Sequence, residues 1–511
     1  MGIIIETEVN RFDGGITNNP HDSLSNKAKG LRNFDVLTDP FTLIPYRDSE
    51  DGSSVAATHQ PQNFAIARRT GTTYSLYALG VQSGAGDAQV LYKDLTTTST
   101  DLSDGAWATP SNNDQDSGST VDFGTFTYYQ NQDEIYSIRD GRYIQAFSPT
   151  GSAWIASEAD LTSVTNYAEG LAHSKDDVCY IPYDNKIASK DGAGAFNVSA
   201  LTLPAFLKVV CLAEYGNYLA IGCAPLSGIG DSYVYLWNRD STLATLSEMI
   251  NFGDGDLKII ETLNGQLVGI SLLGGDLTRL QDKIMFRRYT GASDAEKVLE
   301  LAEDTGVGST QLLSVKQKSD NRVLFMMQLG LHGVERSGVW SFGKASPEQP
   351  WTLVHESTPN DDASVANVVL KGFYKVGEYT FQAFTDGGTF TVTKTNNSNT
   401  AYTASSIYES TINPNLEKRF DKDRKQLKSF YARYNVLDGS NDSIKTEYRV
   451  DGGSWIEIFT ETAAVRVTEK LQDVNGAQFK KGREFEYRLT STGGGEITEF
   501  GAKYELEKNK I

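Results

Sequence analysis

The residues best suited to chemistry in this chain are its acids, and their arrangement points away from catalysis. Of 511 residues, 66 are Asp or Glu against 47 Lys or Arg, a formal net charge of −19. A glycosidase needs two carboxylates placed across a sugar bond, yet no pair among so many acids is singled out by spacing. Four acids do stand apart by context. Asp254 and Asp256 in NFGDGD, and Asp361 and Asp362 in STPNDD, lie in turn-rich stretches between apolar runs. Such turns connect strands and can project into a lumen, where a carboxylate wall would repel a passing polyanion over about 8 Å at 0.15 M salt. The alternative fate of these four is that of solvated loop tips.

Other catalytic signatures are missing. His355-Glu356 lacks the second histidine of HExxH, and there is no GxSxG and no Walker loop. SKDGAGAF (189–196) approximates the Ser-x-Asp-x-Gly-x-x-Trp turn, but Gly194 comes one place late and Phe196 replaces the Trp. Cys179, Cys211 and Cys223 have no CxxC spacing and read as buried thiols, and the five histidines are scattered. No catalytic residue, metal or cofactor is indicated. Trp107, Trp154, Trp237, Trp340, Trp351 and Trp455 fall one to a unit, a distribution suited to strand packing rather than to one carbohydrate platform.

The elements that would position any site are strands. With 47 Gly, 25 Tyr and 23 Phe, the chain has the vocabulary of short strands joined by tight turns, and the expected class is all-β. A pI near 4.8 argues against a surface that grips nucleic-acid phosphates. No apolar run approaches the roughly 20 residues that cross a bilayer, so membrane insertion is not expected. Ile3–Ile5, flanked by Glu6 and Glu8, is too short and too acidic for a signal peptide.

From about residue 63 to 395 one theme recurs: an apolar strand, a Gly/Asp/Asn turn, then an aromatic-rich strand. Copies lie at 64–80, 124–147, 177–192, 215–238, 263–289, 319–343 and 376–393. That spacing suits four-stranded blades, so the expectation is a β-propeller of six or seven blades over 56–404. SDAEKVLELAED (293–304) has an N-cap, first-turn acids and apolar Val298, Leu299 and Leu301, which predicts a helix inserted between blades. After residue 405 the texture changes to clean alternation, as in Phe485, Tyr487 and Leu489 against Glu484, Glu486 and Arg488. VDGGSW (450–455) marks a hairpin turn, and 405–511 reads as a separate C-terminal β-sandwich.

Residues 1–55 form the third region, an N-terminal extended arm. Its turn chemistry is rich and its periodicity poor, so it must lie along something else. Phe12, Phe34 and Phe41 would anchor it to a neighbouring subunit, with Gly14 and Gly15 allowing close backbone approach; the alternative is closure of the propeller's last blade.

The Phe12-Asp13-Gly14-Gly15-Ile16 start, the NFDV…PFTLIPY segment (33–46), the IKTEYRVDGGSWIEI hairpin and REFEYRLT together resemble structural proteins of tailed-bacteriophage virions. Within that class the combination of propeller and accessory β-domains is similar to the tail nozzle proteins of short-tailed phages. The resemblance implies a non-enzymatic tail component, nozzle or hub, made in the host cytoplasm and located in the virion tail. It further implies a homo-oligomeric ring that contacts adaptor, portal or fibres while genomic DNA passes without sequence-specific binding. A host-surface propeller that binds or degrades glycans is the alternative.

Overall fold

The computed structural model describes residues 4–507 except 13, 17–20, 22–26, 40, 47–48, 52–58, 72, 83–87, 96–106, 109–126, 140, 156–157, 241–245, 275–281, 304–309, 332–333, 360–367, 378, 387–388, 396–404, 436 and 438–441. Among the described residues there is no α-helix, only one 3-10 turn at Lys418–Phe420. Seven antiparallel sheets follow one another at 59–95, 127–160, 171–202, 207–254, 256–302, 311–357 and 368–395, here blades 1 to 7. Each of the seven repeated sequence units falls within its own blade or at its margin. The innermost strands abut in sequence, and that of blade 7 (Val368–Val376) lies against that of blade 1 (His59–Thr70), which closes a seven-bladed β-propeller.

Alternation along each strand explains the packing. In blade 1, Leu76 and Ala78 face blade 7 while Tyr77 and Leu79 face blade 2. Both faces of a blade are therefore dry, and the middle strands read as almost continuous apolar runs, such as Val323–Met327, with every side chain fully buried. Each pair of neighbouring blades shares its own apolar cluster.

The segment expected to be helical is instead the outermost strand of blade 5, Glu296–Ala302, paired with Lys283–Arg288. Its charges meet opposite charges across the strands, Glu296 with Arg288 at 2.9 Å and Glu300 with Lys283 at 2.6 Å, while Leu301 is fully buried. Cross-strand pairing and burial of Leu301 override a local helical preference of a few tenths of a kcal/mol per residue, about the usual spread of the scale.

The C-terminal sandwich is built from both ends of the chain. One sheet runs Ile4–Val9, Ile497–Leu506, Lys425–Tyr434, Val467–Lys470; the other runs Ala28–Arg32, Ser406–Ser410, Phe485–Thr492, Ser443–Val450, Ile456–Glu461. Its core is aromatic, with the Phe430 ring 4.8 Å from Tyr487 and 5.9 Å from Phe500. Asp451 and Gly452 take φ of 49° and 70° in the hairpin between Ser443–Val450 and Ile456–Glu461, as VDGGSW requires.

The N-terminal stretch is extended, but it is not a free arm. Its first two strands complete the two sandwich sheets, and Ser49–Asp51 pairs with Thr389–Thr395 as the outermost strand of blade 7. Ile16 and Asn33 meet the outer strand of blade 6: Ile16 N donates to Leu353 O at 3.3 Å, and Asn33 N to His355 O at 3.2 Å. One apolar cluster then runs without interruption from blades 5 and 6 through Phe12, Leu31, Phe34 and Leu43 into the sandwich.

Candidate functional site

Among the described residues the inner strands of the blades converge on the propeller axis, where two polar chambers lie. The first, here the upper chamber, about 210 Å³, is lined by Thr165 and Asn166 leading into blade 3, Lys208 of blade 4, Lys258 of blade 5 and Ser314 of blade 6. The second, about 240 Å³, adds Glu169, Glu261, Lys316 and Tyr374, and shares Val210 and Ser314 with the first.

Inner strands are sheet edges, so each presents backbone N–H and C=O groups that no further strand pairs. Side chains of the next blade take up that role. Arg68 N donates to Tyr128 Oη at 3.4 Å, Gly170 N to Thr127 Oγ1 at 2.9 Å, and Thr262 Oγ1 to Glu214 O at 2.5 Å. Ser174 donates from its backbone N and its hydroxyl to the Glu214 carboxylate, at 2.6 and 2.7 Å. Lys316 Nζ donates to Ile260 O at 2.6 Å and to Glu261 at 2.5 Å. Gln317 bonds both N and O of Lys375 at 2.7 Å, and the Ile66 backbone bonds the Tyr374 hydroxyl. Every junction between neighbouring blades thus carries at least one side-chain bond.

A second regularity is a one-residue bulge in the inner strand, at Gln62, Val210, Lys258 and Lys371 in blades 1, 4, 5 and 7. Bulges re-aim side chains, and here Val210 and Lys258 reach the upper chamber. Glu169 is open to water in the channel yet ringed by protein, and that desolvation, with Glu261 adding and Lys316 opposing, lifts its carboxyl to about 7. Burial pushes the Cys211 thiol beside it to about 12, so it is inert as a nucleophile. All three cysteines are free and buried.

The residues singled out by sequence are not brought together. Phe12 packs edge-to-face on Tyr408 at 5.5 Å, and Phe34 is fully buried in the same cluster. Gly14 is also buried, and Gly15 has φ 65°, with Leu353 N only 3.0 Å from where a Cβ would stand. These four are buried within the chain's own fold rather than offered to a neighbour, on the stretches that lead out of the sandwich strands Ile4–Val9 and Ala28–Arg32 toward blade 6. Phe41 alone is exposed, with the Arg11 guanidinium 5.8 Å from its ring.

Asp254 and Asp256 flank the turn from blade 4 into blade 5, but they build no acidic wall. Asp256 meets Lys258 at 2.7 Å and Lys208 at 3.8 Å, and Asp254 stands opposite Asp231 in register, near Arg287. Asp361 and Asp362 lie outside the described residues. Sequence reading missed the channel lysines; the only signal for them was a charged residue interrupting an apolar strand, as Lys258 does between Leu257 and Ile259. Trp107, Trp237 and Trp340 are buried, and Trp455 is held between Arg449 and Arg488 at 4.6 and 4.2 Å. Among the described residues no cluster of His, Cys, Asp and Glu could hold a metal ion.

No protein-family model matches this sequence, and no curated protein matches it. Among solved structures, BBS1N in complex with ARL6DN shares 11% identity over 70% of this chain and 98% of that chain, with a TM-score of 0.39. At that distance the likeness carries no functional argument.

Proposed function

We propose that this chain is a non-enzymatic structural component of a tailed-phage tail, a nozzle or hub protein that assembles as a homo-oligomeric ring around the DNA path. The observation that carries the reading is one continuous core with apolar tips left in water. Propeller and sandwich share that core. On that body Phe206, Leu226 and Ile229 stand out together from blade 4, Ile229 at 83% exposure, with Leu226 N bonded to Phe206 O at 2.9 Å. Leu471 and Val474 stand out from the sandwich, Leu471 at 71%. Exposed apolar groups gathered on loops mark contact surfaces. Contacts to adaptor, portal or fibres follow from the same reading.

Light scattering on the purified chain, with negative-stain imaging, tests it. A ring of defined copy number, dispersed by Ile229→Asp or Leu471→Asp, is the expected result. A monomer at every concentration, with no incorporation into tails, defeats it.

A further inference from the structure

We propose that the upper chamber of the propeller channel binds a small tetrahedral oxyanion, as free phosphate or as the phosphate end of a small monoester. The argument rests on charge, donors and shape, and it stands apart from the ring reading.

The channel wall is richer in lysine than a chain of net charge −19 leads one to expect. Lys208 and Lys258 come from adjacent inner strands, and Lys258 is thrown inward by its bulge. Both draw on a single carboxylate, Asp256, at 3.8 and 2.7 Å, and among the described residues neither has a second ion-pair partner. Lower down, Lys316 is matched by Glu261. Lys371 occupies the equivalent bulge of blade 7 and has its basicity lowered by burial. A positive cavity with low-dielectric walls inside a negative body concentrates small anions, while the outer field and the narrow bore reject polyanions.

Neutral donors are present too. The side chains of Thr165, Asn166 and Ser314 line the chamber and make no hydrogen bond to the described residues, although the Thr165 and Asn166 backbone N–H groups are bonded to Asp184 at 3.0 and 2.8 Å. Two ammonium groups, two hydroxyls and an amide around about 210 Å³ suit a tetrahedral anion with several acceptor oxygens. Asp256 already imitates such a ligand toward both lysines through its Oδ2.

Calorimetric titration of the full chain with inorganic phosphate, sulfate and glycerol 3-phosphate tests the site. One anion per chain is expected, with Lys208→Gln and Lys258→Gln each weakening it about tenfold, the worth of one charge-assisted bond. The exposed Lys470→Gln should leave binding unchanged. Asp256→Asn should tighten binding, because it removes the internal competitor, and this variant decides the matter even where a lysine variant fails to fold. Glycerol 3-phosphate binding at least as well as phosphate assigns the site to a monoester; the reverse assigns it to the free ion. Absence of heat and of thermal stabilisation with all three anions overturns the proposal, as does binding that survives the Lys208→Gln/Lys258→Gln double change or that weakens in Asp256→Asn.

Discussion

Besides the faces that neighbouring blades share, sheets meet along the propeller axis and at the weld between blade 6 and the sandwich, and these two meeting places are made of opposite materials. At the weld Phe12 meets Tyr408 and Tyr408 meets Phe500 edge to face, with Phe34 fully buried in the same apolar cluster. On the axis Lys316, Gln317, Thr262 and Tyr374 form a polar girdle. The weld brings together sheet faces whose backbone groups are already paired, so only side chains remain to be buried and apolar ones serve best. The axis brings together sheet edges, whose unpaired backbone must find partners. Polarity in the channel is therefore first a demand of the architecture, and any ligand chemistry is built on that demand.

Even the weld keeps one ionic knot. Arg322 reaches Asp35 at 3.4 Å and Glu356 at 3.1 Å, and Lys375 approaches Glu356 at 3.8 Å. Burial alone would raise the Asp35 carboxyl, but Arg322 and the bonds from Thr38 and Leu37 hold it below its usual range. The knot sits where the N-terminal segment turns from the sandwich toward blade 7.

The comparison is broken most severely by removing residues 1–46. Two sandwich strands and the mortar of the weld go with them, so circular dichroism should show lost β structure and proteolysis should enter 405–507 first. A truncated chain that keeps full native signal would make the segment a dispensable arm after all. Next in size, Phe34→Ala should cost about 3–5 kcal/mol in urea unfolding, the range for a buried Phe in a core. A loss below about 1 kcal/mol would mean that the segment is draped over the weld rather than part of it.

On the axis, Lys316→Met should cost about 3 kcal/mol, because Glu261 is left mostly buried without its counter-charge. Adding Glu261→Gln should return part of that loss, and an additive pair would deny the coupling. The weld also carries a proton-linked effect. His355 is fully buried against Trp340 and Ser337 O, and burial, helped by Arg32 and Arg336, holds its imidazole down to about 3. The unfolded chain binds that proton near pH 6.5 and the native fold does not, so stability falls as pH drops below 6.5. Relative to His355→Gln, the loss should reach about 1.4 kcal/mol by pH 5.5. Parallel pH profiles would assign the acid sensitivity elsewhere. The smallest expected effect is Thr262→Val, about 1 kcal/mol for one girdle bond, read from the shift in urea midpoint.

Much of the propeller was legible because each blade announces itself locally. Middle strands are dry on both faces, so runs such as Val323–Met327 and the turns between them mark every unit without knowledge of its neighbours. The sandwich hairpin at Asp451–Gly452 was legible for the same reason, since positive φ is a local demand. The site was not legible. Lys258 reads as a charge in an otherwise apolar strand, and only the bulge, which depends on pairing with the strand beside it, turns it toward the axis.

Glu296–Ala302 and the N-terminal segment show where local reading ends. The spacing of Glu296 and Glu300 suits a helix face and a cross-strand ladder equally well, and the open edge of blade 5 decided between them. Ile4–Val9 and Ala28–Arg32 lie nearly the whole chain away from Ile497–Leu506 and Ser406–Ser410, and no spacing rule links them. Composition and period determined that this chain makes strands, and how they group into blades. Which edges remained open, and hence where the first residues and the channel lysines came to lie, was decided by tertiary structure, because an edge is a property of the sheet and not of the strand.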